Sequence, residues 1–425
     1  MSAPSARRWV VLAAYMMVTL AVEVQWVALA PVSRAAERFY GSQLAPGGAL
    51  SVDLLAMVYL LVYLVACVPA SYVIDTHGIR VGIGAGAVLA GAGALAKALL
   101  ASRFVGVLGG QLLLAVAQPF VLNAATAVAA RWFPLRERGL ANGLAALAQY
   151  VGIVVAMVVG PLVVVGDADS PRYGQGVDAL LLAYGVATVA AAIGALLLVA
   201  ERPAEPVEGG EERIGSLAGI RTLLANRDYR ILLGCFLAGL GIFNAMSAMV
   251  DAIAAHVGVQ DSDGLIGTWL MLGGILGALA LPIASDALRR RRPFLVLCMA
   301  GMVPGVAGLA FADAIGTGPA GAYTVAKGAA GVLGFFVMSA GPIGFQYAAE
   351  IGRPAPESTS QGLLLLVGQA SGIAFMLPMG STRLIGPTLA VFTTLAVACL
   401  AGAVLLRESK VLAAPSTGEG AGVGA

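Results

Sequence analysis

The chain has 425 residues, 59% of them hydrophobic and only 11% charged, with a mean hydropathy of +0.90. Ordinary soluble domains are about 25% charged, so the composition excludes a string of soluble domains counted from length and points to a polytopic membrane protein. A formal net charge of +2 gives no sign of a nucleic-acid partner.

The first apolar stretch, WVVLAAYMMVTLAVEVQWVALAP, is long enough to cross a bilayer, for which a helix needs roughly 20 residues. Arg7 and Arg8 before it and Ala28-Leu29-Ala30 after it imitate a signal peptide, but it is too long and too polar near its end for one. Inside it lie Glu23, Gln25 and Trp26. A carboxylate at that depth costs at least about 3 kcal/mol unless it faces protein or a wet cavity. Glu23 and Trp26 are three residues apart and share a helix face, with Gln25 turned away. A carboxylate beside an aromatic ring suits a small cation by charge and by cation–π attraction. Two plainer readings stay open: Glu23 as a satisfied structural carboxylate, and Trp26 as an interface-belt aromatic.

Apolar runs mark twelve candidate spans, at about 9–31, 50–74, 80–102, 104–130, 139–165, 177–200, 230–255, 264–285, 293–313, 320–349, 360–382 and 386–406. The charged stretch 201–228 follows the sixth run and divides the chain into segments 1–200 and 229–410, six spans each. Its EPVEGGEER portion reads as a mobile linker, 216–226 as a short surface helix and 411–425 as a disordered tail. Loop arginines and lysines fall eighteen on the side that carries both termini and five on the other. That asymmetry predicts cytoplasmic termini and a cytoplasmic linker. Cys67, Cys235, Cys298 and Cys399 each sit in an apolar run and read as small buried hydrophobes, with neither zinc nor disulfide spacing.

Other polar residues fall inside or near the spans. Lys97 is expected to snorkel to the outer interface, and Asp251 to lie near the wet end of the seventh span. Gln118-Pro119 and Asn123 in the fourth span either line a cavity or kink and stitch the helix. The halves echo each other. Asp75-Thr-His-Gly78-Ile-Arg80 after the second span matches Ser285-Asp286-Ala-Leu-Arg289-Arg290 after the eighth, and Gln149-x-x-Gly152 in the fifth matches Gln369-x-x-Gly372 in the eleventh. Repeat-built transporters bind substrate near the midplane where the repeats meet, so the paired glutamines are candidate cavity residues. Nothing resembles a Walker loop, a nucleotide-binding domain or a nucleophile–base set, so neither an enzyme nor a primary pump is expected, and no cofactor.

Twelve spans, a central polar linker and the Asp-x-x-Gly-x-Arg loop together resemble the major facilitator superfamily. The resemblance implies an all-α fold of two pseudo-symmetric six-helix bundles and a cytoplasmic lock built on Asp75 and Arg80, with Asp286 and Arg289 as its repeat. A closer resemblance, over nearly the whole chain, is to the feline leukemia virus subgroup C receptor-related (FLVCR) transporters. It rests on Gln25-Trp26, Glu37-Arg38-Phe39-Tyr40-Gly41, Met57-Val58-Tyr59-Leu60 with Tyr63, Asp75-Thr76-His77-Gly78, Arg131-Trp132-Phe133, Leu333-Gly334-Phe335-Phe336 and Ser358-Thr359-Ser360 through Gln369. It implies transport of a small organic solute, with choline and ethanolamine the foremost class. Of that family's choline cage, the first-helix Trp falls on Trp26 and the glutamines on Gln149 and Gln369, while the seventh-helix Tyr falls on Asn244. Phe243 and Tyr59 could supply other rings, and Glu23 a charge suited to an amine. The expectation is a monomeric plasma-membrane transporter of a choline- or ethanolamine-like amine, working by alternating access. The rivals are a carrier of an anionic or aromatic metabolite, haem included, and a membrane receptor without flux. Haem fits poorly with two histidines, His77 and His256, near span ends.

Overall fold

A computed structural model describes residues 6–44, 50–134, 137–167, 170–202, 216–259 and 264–409. The expected mobile linker portion and the tail lie outside these residues, apart from 216–226, where a helix runs over Ser216–Ala225.

Among the described residues, twelve helices are long and apolar enough to span a membrane. We label them α1 (Arg7–Trp26), α2 (Asp53–His77), α3 (Ile79–Leu99), α4 (Phe104–Leu122), α5 (Arg138–Val163) and α6 (Val177–Leu198). The second half supplies α7 (Arg227–Ala248), α8 (Leu265–Ala287), α9 (Arg292–Ala310), α10 (Gly318–Ile351), α11 (Glu357–Met379) and α12 (Thr382–Val404). Side chains such as Val65, Leu162 and Leu197 stay more than three-quarters exposed, which forms a lipid-facing surface around the helices. With twelve crossings both ends of the helical array lie on one face, called here the terminal face.

The packing repeats. In the first half α1 packs on α5 and α6, α4 on α2 and α3, and α3 on α6; in the second, α7 packs on α11 and α12, α10 on α8 and α9, and α9 on α12. Each contact has its counterpart six helices on, so the fold is two pseudo-symmetric six-helix bundles, joined mainly through α2 against α11 and α5 against α8. Local chemistry explains the sharp corners. Gly78, at φ 99°, lets α2 end and α3 begin within one residue.

Three spans are broken where the sequence reads as continuous. The first stops at Trp26, and the chain continues through a 3₁₀ turn at Ala30–Val32 into a helix at Ser33–Tyr40. The fourth is interrupted after Leu122, shortly past Pro119, and resumes as Ala125–Trp132. The seventh breaks at Met249 before Val250–His256. Apolar windows sense hydropathy alone, and these breaks occur without loss of hydropathy.

Candidate functional site

A cleft of about 980 Å³, part of it open to solvent, lies between the halves. Glu23 and Trp26 enter from α1, Gln118 from α4, Gln149 and Tyr150 from α5, Phe243 and Asn244 from α7, Gly341 and Phe345 from α10, and Gln369 from α11. The cleft continues into the second bundle between α7, α9, α10 and α12, where Cys235, Met299 and Met302 line it.

The two Gln-x-x-Gly motifs share one packing logic. A Cβ on Gly152 would lie 2.5 Å from the Leu20 carbonyl and 3.0 Å from Glu23 Cβ, so α5 touches α1 there because the position is glycine. A Cβ on Gly372 would lie 3.0 Å from Asn244 Cβ, so α11 touches α7 in the same way. Three residues earlier, close to one helical turn, Gln149 and Gln369 come to line the cleft from opposite halves.

The side chains differ in how they are held. Trp26 donates its indole N–H to the Ala56 carbonyl at 3.2 Å, which ties the ring to α2. Gln118 donates to Glu23 Oε1 at 3.3 Å. Asn244 donates to Gln369 Oε1 at 3.1 Å and to the Gly368 carbonyl at 3.4 Å. Gln149 is half-buried, and its amide has no hydrogen-bond partner among the described residues. Tyr150 and Phe243 meet edge to face across the halves, centroids 6.4 Å apart, on the wall that carries Asn244. Tyr150 stands next to Gln149 in the motif, but no sequence signal separated it from an ordinary packing residue.

Three expected residues sit differently. Asn123 is buried away from the cleft: it accepts from the Tyr63 hydroxyl and donates to Ser71 Oγ at 2.9 Å and to the Cys67 carbonyl at 3.3 Å. The stitching role therefore holds, because the break in α4 leaves this amide facing α2. Tyr59 is fully buried with an unpartnered hydroxyl and does not line the cleft. Lys97, expected at the interface, is 1% exposed. Its Nζ donates to Gln111 Oε1 at 2.6 Å and to the Gln25 carbonyl at 3.2 Å, while Gln111 Nε2 reaches the Leu55 carbonyl at 2.9 Å and the Trp26 carbonyl at 3.3 Å. Together they satisfy the Gln25 and Trp26 carbonyls freed where α1 ends. Position along a helix says nothing of which way a side chain faces, and Lys97 turns into the bundle. Asp251 lies in the short helix Val250–His256, beyond the break in the seventh span.

The loop residues expected as a lock also pair differently. Asp75 accepts from Ser358 and, at 2.7 Å, from Thr359, both in the first turn of α11 in the other half. Arg80 is exposed, and its backbone N–H donates to Glu201 at 2.9 Å. Glu201 also pairs with Arg131. In the second half Asp286 pairs with Arg291 rather than with Arg289, which is exposed in a turn at φ 51°. Arg291 also meets Glu350 at 3.2 Å, and Glu408 caps the Arg291 and Arg292 N–H groups at 2.8 and 3.3 Å. Glu201 and Glu408 thus cap α3 and α9, equivalent helices, at their positive ends. Further bonds join the halves at this face. Gln361 of α11 accepts from the Thr126 N–H and donates to the Leu122 carbonyl, each at 3.2 Å, and Asn142 donates to Gln346 at 3.2 Å.

Two six-helix repeats closed at one face around a polar-floored cleft define a membrane transporter. The Major Facilitator Superfamily model matches residues 11–376, and the chain belongs to that superfamily. Among curated relatives, solute carrier family 49 member A3 of Danio rerio is 30% identical over 383 residues, 87% of this chain and 77% of that protein. The choline/ethanolamine transporter FLVCR1 of Felis catus is 28% identical, covering 89% of this chain and 68% of its own. FLVCR2 of Homo sapiens, likewise a choline/ethanolamine transporter, is 25% identical over 88% and 72%. Among solved structures, the E. coli fucose:proton symporter FucP superposes with TM-score 0.67 at 16% identity over 93% of this chain and 96% of that one. The proton:xylose symporter XylE does so with TM-score 0.69 at 14% identity over 96% and 97%.

Proposed function

We propose that this transporter carries a small organic amine, of the choline or ethanolamine type, across the cell membrane by alternating access, acting as a monomer with both termini in the cytoplasm. The observation that carries the reading is the shared wall of Glu23 and Trp26, faced by Gln149 and Gln369 from opposite halves. The carboxylate supplies charge, the indole face cation–π attraction, and the amides hydrogen bonds to a hydroxyl. An anionic solute is disfavoured because no Lys, Arg or His is among the residues that line the cleft. The relatives named choline/ethanolamine transporters lend the substrate class weight.

The test is thermal stabilisation of the purified protein by amines, vitamins, porphyrins and organic acids, since a ligand of the native state stabilises it by RT ln(1 + [L]/Kd). Ethanolamine or choline should raise the melting temperature of the parent protein. Trp26→Ala should weaken that binding by about 1–2 kcal/mol, and Trp26→Phe by less. A well-folded Trp26→Ala that binds every confirmed ligand as tightly as the parent would refute the site. Orientation is checked with an impermeant thiol reagent on intact cells. Thr222→Cys, exposed on the terminal face, should stay unlabelled, and Ser102→Cys, exposed on the other, should react; the reverse pattern inverts the topology.

A further inference from the structure

We propose that Glu23 is a coupling carboxylate, holding a proton when no amine is bound and giving it up for the ammonium of the substrate, so that the protein exchanges an amine cation for a proton. This rests on the amine reading above.

Glu23 is 3% exposed, lines the cleft and stands one helical turn from Trp26. Its hydrogen-bond partner in the protein is the neutral amide of Gln118. Among the described residues no Lys, Arg or His lies within ion-pair distance of it. The titratable groups that feel its charge are phenols: Tyr15 on its own helix, Tyr59 and Tyr63 from α2, and Tyr150 from α5. Phenols are uncharged at neutral pH and cannot neutralise it. Lys97 of α3 is engaged by Gln111 and the Gln25 carbonyl. Across the cleft α7 offers the neutral Asn244 and the thiol of Cys235, neither of which supplies a positive charge.

The other deeply buried carboxylate shows what compensation looks like in this protein. Glu350, at 7% exposure, pairs with Arg291 and accepts from Gln346. Glu23 has no such cation built in, so its neutralising charge comes from outside: a proton or the substrate. The swap balances. The carboxyl O–H bond breaks, the proton leaves to water in the cleft, and the carboxylate accepts an N–H···O bond from the ammonium, one positive charge replacing another. An amine-free carrier reorients with Glu23 protonated, because closing the cleft on a bare carboxylate is the most unfavourable option.

The experiment titrates purified protein with ethanolamine in weakly buffered solution, reading proton release with an indicator dye and Kd by calorimetry from about pH 5 to about pH 8, the span in which a carboxyl in a protein interior titrates. Release should approach one proton per amine on the acid side. Kd should weaken about tenfold per pH unit there, as linkage to one proton requires. Glu23→Gln should bind with no proton release and a flat Kd, and Glu23→Asp should keep both signals. If Glu23→Gln does not fold, the parent and Glu23→Asp decide the question alone. A parent protein that binds ethanolamine with no proton release and a flat Kd overturns the coupling and leaves the amine reading standing. No binding of any amine across the range overturns both.

Discussion

Trp26 is fixed at two points, by its indole N–H on Ala56 and by Gln111 on its carbonyl, whereas Gln149 is fixed at none. The difference separates residues that build the site from residues that wait for a ligand. Gln149→Leu removes a group without a protein partner, so amine affinity should fall while the ligand-free melting temperature holds. Gln369→Leu also strips Asn244 of its 3.1 Å acceptor, so it should lower both. Parallel calorimetry and thermal melts of the two variants check this; equal loss of melting temperature in both would mean that Gln149 is structural. Trp26, Gln149 and Gln369 were legible in the sequence because motif and repeat marked them. Tyr150, Gln118 as the partner of Glu23, and the inward turn of Lys97 were not, because each depends on which neighbouring helix stands opposite, and a single chain's periodicity cannot show that.

At the scale of the helix, close approach and broken ends carry the argument. Gly152→Val would drive a side chain into the Leu20 carbonyl and part α5 from α1, costing about 1–3 kcal/mol. Gly109→Val in α4, where nothing lies within 4 Å, should be nearly neutral. Thermal melts of the pair make the comparison, and matched losses would remove the packing explanation. Lys97→Met leaves Gln111 Oε1 short of a donor in the bundle interior and the Gln25 carbonyl with only the Gln111 amide at 3.4 Å, worth about 1–3 kcal/mol. Because that cluster holds the Trp26 carbonyl, the variant should also shift tryptophan emission and weaken amine binding; a change in stability alone would confine Lys97 to a structural role. All twelve spans were legible as apolar runs, but the breaks after Trp26 and Leu122 were not, since the groups that repair them come from α3, α4 and α11.

For the whole molecule, the terminal face is held by Asp75 on Ser358 and Thr359, with Gln361 and Asn142 reaching across. Asp75→Ala removes the acceptor of two inter-half bonds. It should raise the population open at this face, since a few kcal/mol suffices to move a two-state balance. Thiol accessibility of Ser71→Cys, buried beneath the contact, reads the shift, and unchanged reactivity would deny Asp75 a closing role. The sequence marked Asp75 as a lock residue but not its partners, because Ser358 and Thr359 are brought to it only by the fold.

The gap in α4 has a further consequence. In this closed arrangement the Gln361 amide plugs it, taking the Thr126 N–H and the Leu122 carbonyl that the interrupted helix leaves over. When the halves part at this face the plug withdraws, and those two backbone groups must find water. The Thr126 amide is therefore a built-in clock. Its hydrogen–deuterium exchange runs at a pace set by how often the terminal face opens, and mass spectrometry of the peptide around it would time the transport cycle with no label and no substrate.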